Sequence, residues 1–249
     1  MAVAKVKSLQ KALEILNCFI EEPILGVTEI SEKFGLYKSN VHNILTTFKM
    51  MGYLEQDELS GKYKLGIQVF NLGYALRDTF SIAKICLPFM QELANKSKQR
   101  VYLAIPYGTE IYYLEATYPI ESVTLMRSVF GMKADYYCTG LGKAMLMHMP
   151  DDFIDLVFDG TIKKHTDNTI TDASVFKKDL EVTRQRGYAV DDMEHEFGIK
   201  CVAIPIMGAD GKVLAAISIS GSYRAFTEET IEKYALMLKE DIMEIEKRV

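Results

Sequence analysis

Ser39-Asn40-Val41-His42-Asn43-Ile44-Leu45-Thr46-Thr47-Phe48-Lys49-Met50-Met51, closed by Gly52, is the stretch on which the fold of the N-terminal part turns. Val41, Ile44, Leu45, Phe48 and Met51 recur at helical spacing, while Asn40, His42, Asn43, Thr46 and Thr47 lie off that stripe. The pattern predicts an amphipathic helix with a polar, weakly charged outer face. Ser39 is its expected N-cap. Upstream, Ile30 and Phe34 form the apolar side of a shorter helix, with Thr28 as cap, Glu29 and Glu32 near the positive end of the dipole, and Gly35 as stop. Further back, Leu9, Ala12, Leu13, Leu16, Phe19 and Ile20 are the stripe of a first helix that Pro23 and Gly26 end. Downstream, Tyr53-Leu54-Glu55-Gln56 and Lys62-Tyr63-Lys64-Leu65 are two short strands around a turn containing Gly61. The order is helix, helix, turn, helix, hairpin.

A helix whose apolar stripe packs on two others presents its opposite face outward, at a width that fits the major groove of DNA. Asn40 and Asn43 carry the amide that pairs with adenine; Ser39, His42, Thr46 and Thr28 can reach base edges or phosphates. Lys38, Lys49, Lys62 and Lys64 can neutralise backbone charge. The same spacing fits a small bundle with a solvated polar side, and the hairpin directly after the third helix weighs against that plainer reading.

Ile67, Phe70, Leu72, Tyr74 and Leu76 predict a connecting helix, since no Pro/Ser-rich tract intervenes. From Ile82 the pattern turns to mixed helix and strand. Strands are expected at Val101–Pro106, Ile111–Glu115, Val123–Ser128, Tyr188–Met193, Val202–Met207 and Val213–Ser220. Helices are expected near Ala83–Lys98, after Gly142, at Asp151–Phe158, at Ser174–Arg186 and from Thr227 onward. The fold class is therefore α+β, divided as 1–66, a linker helix at 67–81, and 82–249.

The segments Ser39–Phe48, Gly52-Tyr53-Leu54 and Tyr63-Lys64-Leu65-Gly66 resemble the winged helix-turn-helix of IclR-type bacterial transcriptional regulators. Four later segments are similar to that family's effector-domain motifs, in the same order. They are Thr139–Ala144, Gly187–Glu194, Gly198–Pro205 and Ala215–Gly221. The resemblance implies a DNA-binding N-terminal domain, a linker helix and a GAF-like α/β C-terminal domain. It implies binding to double-stranded operator DNA, controlled by a small carboxylate effector, by a homodimer that can pair into a dimer of dimers. Asn40 and Asn43 stand where the family more often has Thr or Ala and Arg, so the operator sequence does not carry over. Asp135-Tyr136-Tyr137 stands where a short apolar run is usual. The effector positions that carry over are Gly140, Leu141, Asp191, Ile199, Cys201, Ser218 and Ser220, with Val123 and Met126 as an apolar wall.

Some of these residues speak for themselves. Gly140-Leu141-Gly142-Lys143 ahead of a helix can offer first-turn N–H groups to a carboxylate. A nucleotide-binding P-loop is disfavoured, because Ala144 follows the lysine and Tyr137 stands where the first glycine belongs. Ser218 and Ser220 alternate along a strand, so both hydroxyls share one face. Asp191, His195 and Cys201 could in principle supply a catalytic triad or a metal site. His195 instead fits a solvated loop histidine of raised proton affinity and Cys201 a small core residue, so neither enzyme activity, a metal nor a cofactor is expected.

Composition sets the outer limits. The 249 residues carry 29 Lys/Arg against 34 Asp/Glu, a formal charge of −5, and 49% are hydrophobic, an ordinary globular balance. The first 77 residues hold 9 basic against 8 acidic side chains, so the acidity lies in the remainder. Cys18, Cys86, Cys138 and Cys201 form no Cys-x-x-Cys pair, which fits a reducing cytoplasm, and neither an export signal nor a membrane span is expected. A stand-alone metabolite sensor that acts through protein contacts is the alternative outside DNA binding.

Overall fold

The computed structural model describes residues 5–121 and 128–249, and the chain divides into two compact units, Met1–Thr79 and Phe80–Val249. In the first, α1 (Lys7–Glu21), α2 (Val27–Phe34) and α3 (Lys38–Met50) precede a hairpin of β1 (Leu54–Gln56) and β2 (Tyr63–Leu65), and α4 (Ile67–Thr79) follows. The core of this unit is small. Ile15 and Phe19 of α1, Ile30 of α2 and Val41 and Leu45 of α3 meet Leu54, Tyr63 and Leu25. Leu25 also exchanges backbone hydrogen bonds with Tyr63, which ties the α1–α2 connection to the hairpin.

Two expected caps fall elsewhere. Gly26 is the N-cap of α2, and its N–H donates to the Glu29 carboxylate, so Thr28 lies inside the first turn. Tyr37 is the N-cap of α3, with Ser39 inside the first turn. The turn between the two helices uses Gly35 at φ +62°, a left-handed conformation that a side chain disfavours.

The second unit is a six-stranded antiparallel sheet in the order β5-β4-β3-β8-β7-β6. Its strands are β3 (Arg100–Tyr107), β4 (Glu110–Thr117), β5 (Lys133–Asp135), β6 (Ala189–Asp192), β7 (Ile199–Met207) and β8 (Val213–Ser222). Helices α5 (Ser81–Ser97) and α9 (Glu228–Glu246) belong to one apolar layer; α6 (Gly140–Leu146), α7 (Asp151–Phe158) and α8 (Ala173–Arg186) belong to another. Strand alternation sorts the residues. Val202, Ile204 and Ile206 of β7 and Ile217 and Ile219 of β8 join α5 and α9, while Ala203 and Ala216 join the layer of α6. Small side chains on that second face let α6 lie close to the sheet.

Most of α6 is fixed by residues before it. Thr139 caps the helix, its Oγ1 accepting from Gly142 N–H at 3.1 Å and donating to the Asp135 carbonyl at 2.9 Å. A Cβ on Gly142 would sit 2.3 Å from the Tyr136 carbonyl oxygen, so only glycine allows the approach. β5 was not expected, being three residues long, and most of the expected strand Val123–Ser128 lies outside the described residues, as do Val123 and Met126. Among the described residues no helix is long and apolar enough to cross a membrane.

Candidate functional site

The polar face of α3 is where the helical spacing places it. Lys38, Ser39, Asn40, His42 and Asn43 are exposed and Thr46 is half-buried, opposite the buried Val41 and Leu45. Thr28 is exposed at the start of α2. The hairpin lysines are already engaged: Lys62 pairs with Glu29, and Lys64 with Glu55 at 3.4 Å. Lys49 donates to Gln56 at 2.9 Å. The hydrogen bond from Lys62, with that from Gly26 N–H, holds the Glu29 carboxyl below its usual range. Such exposed pairs are weak, so a phosphate can displace the carboxylate. Tyr37, 82% exposed at the head of α3, is a groove-facing candidate that periodicity passes over because it precedes the helix.

The second unit contains a cavity of about 500 Å³ against the α6 side of the sheet, a volume suited to a small organic molecule. Gly140, Leu141, Asp191, Ile199, Cys201, Ser218 and Ser220 all line it. Strand register explains the convergence: Asp191 is opposite Cys201, Cys201 opposite Ser220, and Ser220 opposite Arg100, a row across β6, β7, β8 and β3. One step along, Ser218 is opposite Tyr102, whose ring meets Tyr113 edge-on at 5.7 Å. At the end of this row, Gly140 opens α6; a Cβ there would lie 2.5 Å from the Cys201 sulfur. The Gly142 N–H serves Thr139, while the Leu141 N–H has no partner among the described residues.

Two family models match the chain: one described as the bacterial transcriptional regulator IclR C-terminal domain over residues 75–246, the other as the IclR helix-turn-helix domain over residues 8–58. The chain belongs to the IclR family. It is 31% identical over 236 residues to the HTH-type transcriptional regulator KdgR of Escherichia coli K12, covering 94% of this chain and 89% of that protein. The crystal structure of the Thermotoga maritima IclR matches at 34% identity and a TM-score of 0.74, over 97% of this chain and 98% of that one. An IclR homologue from Microbacterium hydrocarbonoxydans, crystallised with 4-hydroxybenzoate, shares the fold at 23% identity and a TM-score of 0.78, over 96% and 98%. IclR-family proteins are DNA-binding transcriptional regulators with a C-terminal effector domain, not enzymes.

In this IclR-family chain Lys143 is unavailable to a phosphate. Its ammonium is buried and donates to Glu194 at 2.5 Å and to Asp179 at 3.2 Å. Burial alone would lower its pKa, but the two carboxylates hold it above the ordinary lysine range. Burial raises Glu194, against the pull of Lys143. Asp191 accepts from Glu194 N–H at 2.7 Å, and burial pushes its carboxyl up to about 7. A carboxyl poised there can be neutral and donate a proton to a bound anion.

Asp191, His195 and Cys201 do not assemble as a triad. Cys201 Sγ lies 3.9 Å from Asp191 Oδ2, whereas His195 Nδ1 faces Cys138 Sγ at 3.5 Å. Burial drives the Cys201 thiol far above its usual pKa, which removes its nucleophilic form. The expectation for His195 is corrected in sign: burial, and then neighbouring His165, lower its proton affinity. Periodicity also missed Arg100, Tyr102 and Tyr113, which line the cavity. Arg100 and Tyr102 do alternate on one strand, but that they oppose Ser220 and Ser218 is a matter of register.

Proposed function

We propose that this chain binds double-stranded operator DNA as a homodimer, and that a small carboxylate in the β-sheet cavity sets its operator affinity. The row of Asp191, Cys201, Ser220 and Arg100, meeting the head of α6, carries this reading. It offers a guanidinium, two hydroxyls at Ser218 and Ser220, a carboxyl able to carry a proton and the Leu141 N–H, all donors to an anion. The hydroxy acid named with the Microbacterium hydrocarbonoxydans homologue supports the same ligand class. Dimerisation is supported by α4, which buries no side chain and exposes Ile67, Phe70, Leu72, Tyr74 and Leu76, and by Leu9, Leu13 and Ile20 on α1.

In this mechanism two copies of α3 enter successive major grooves, with the hairpins on flanking phosphates. A net charge of about +1 per N-terminal part gives little nonspecific attraction, so local lysines and doubling by dimerisation supply it. The acid alters operator affinity by binding one arrangement of the dimer better than another, a coupling of about 1–3 kcal/mol.

The test is fluorescence anisotropy of the full chain on DNA flanking its gene, with and without a panel of small carboxylates. Binding that weakens with salt and shifts about 5–150-fold with one acid is expected. Asn43→Ala should change base preference, while Lys64→Ala should weaken all sequences alike. An acid that raises the melting temperature without any DNA binding would favour the protein-contact sensor instead. Sedimentation of Phe70→Ser and Tyr74→Ser variants should show dimers dissociating and, if two dimers pair, the larger species as well.

A further inference from the structure

We infer that Cys138, His165 and His195 form a binding site for a divalent transition-metal ion of zinc type, separate from the carboxylate-binding row. The three come from different connections: the turn between β5 and α6, the segment between α7 and α8, and the turn between β6 and β7. Each offers one ligand atom, and these atoms all lie within 4.8 Å of one another; no other such Cys/His/Asp/Glu group occurs among the described residues.

The distances suit the ion. Cys138 Sγ and His195 Nδ1 are 3.5 Å apart. With metal–sulfur and metal–nitrogen bonds of about 2.3 and 2.05 Å, two ligands on a tetrahedron sit about 3.6 Å apart. His165 has its ring centroid 5.2 Å from that of His195, and its Nε2 is 3.1 Å from Asp135 Oδ2. A carboxylate against a ligating histidine fixes the ring and offsets the ion's charge. Thiolate with imidazole favours zinc, cobalt or a similar ion over magnesium or calcium, which prefer all-oxygen sets.

The site is also preorganised. Tyr137, next to Cys138, accepts from Lys163 N–H and donates to the Lys163 carbonyl, both at 2.9 Å. Thr166 Oγ1 donates to the Met193 carbonyl at 2.7 Å, Thr169 Oγ1 to that of Glu194 at 2.7 Å, and Asn168 to that of Asp192 at 2.7 Å. These bonds staple the segment bearing His165 to the turn bearing His195. In that turn Met193 takes φ +60°, a conformation costly for a non-glycine residue and common where a side chain must be aimed. His195 lines the carboxylate cavity, and together with His165 it also lines an outer one of about 530 Å³ open to solvent, so an ion has an entry path. Three protein ligands leave a fourth position for water or another donor.

The experiment is cobalt(II) titration of the full-length chain, purified with a chelator and dialysed, followed in the visible spectrum and then by back-titration with zinc(II). The expected result is one cobalt per chain, with a thiolate-to-cobalt charge-transfer band and tetrahedral d–d absorption, both removed by zinc. Cys138→Ser should abolish the charge-transfer band, and His165→Gln and His195→Gln should each weaken binding by at least about tenfold. Cys18→Ser and Cys201→Ser should keep the band. Wild-type protein that gives no such band overturns the proposal, as does a band that survives Cys138→Ser or is lost with Cys201→Ser. Should Cys138→Ser fail to fold by circular dichroism, the wild-type spectrum and the two histidine variants decide. Because the readout needs no organic acid and no DNA, its failure leaves the effector reading standing.

Discussion

The N-terminal unit keeps its polar chemistry outside a core of few side chains, with Asn40, His42 and Asn43 in solvent, whereas the C-terminal unit takes Lys143, Asp191, Glu194, Ser218 and Ser220 inside. A helix that reads DNA needs only a stripe on its inner side to hold it, so its outer residues answer to the ligand alone. A cavity within a sheet must satisfy each buried polar group while leaving space, so its residues answer to packing, charge balance and ligand at once. Substitutions should therefore be expensive in one unit and mild in the other.

The sharpest test sets two glycines against each other. Gly142→Ala places a Cβ against the backbone of Tyr136, so thermal or urea unfolding followed by circular dichroism should show a loss above about 3 kcal/mol. Gly73→Ala in α4 meets nothing within 4 Å and should leave stability unchanged or raise it by about 0.5–1 kcal/mol. A clear loss at Gly73 would instead locate a second chain packed on that glycine.

Next comes the buried charge set. Lys143→Met leaves Glu194 and Asp179 facing each other without their cation and should cost about 3–5 kcal/mol, while adding Glu194→Gln recovers part of it. Lys64→Ala breaks only the exposed pair with Glu55 and should not move the melting temperature measurably. Equal losses from the two would erase the contrast between the units.

A smaller effect depends on pH. Asp191 rises from 3.8 to about 7 on folding, so the native state holds its proton more tightly than the unfolded chain. Stability tied to that proton is present below about pH 4 and lost as the pH climbs to about 7. Asp191→Asn should therefore gain on wild type between pH 5 and pH 8, by about 1–3 kcal/mol, as read from melting temperatures across that range. A constant difference would mean that Asp191 stays ionised throughout.

Where local pattern and tertiary need coincide, the elements were legible. Val41, Leu45 and Phe48 mark the inner side of α3 because a period of 3.6 residues is a property of the helix itself, and Thr227 caps α9 for equally local reasons. Thr28 and Ser39 do not cap because each helix starts ahead of them: Gly26, its N–H held by Glu29, precedes α2, and Tyr37, with no side-chain cap, precedes α3. His195 departs from its expected raised proton affinity because burial outweighs its acidic sequence neighbour Glu196, and its spatial neighbours His165 and Cys138 come from loops far along the chain.

Sequence alone determined the succession of elements apart from β5 and the undescribed stretch around Val123–Ser128, the mixed fold class, the polar face of α3, and the glycines and alternating serines of the cavity, since each is written within one turn or one strand. Only the tertiary structure decided that Arg100 opposes Ser220, that Lys143 turns inward to Glu194, and that Cys138, His165 and His195 converge. Those pairings depend on strand register and on loops closing across long stretches of chain, and neither leaves a periodic trace in the order of the residues.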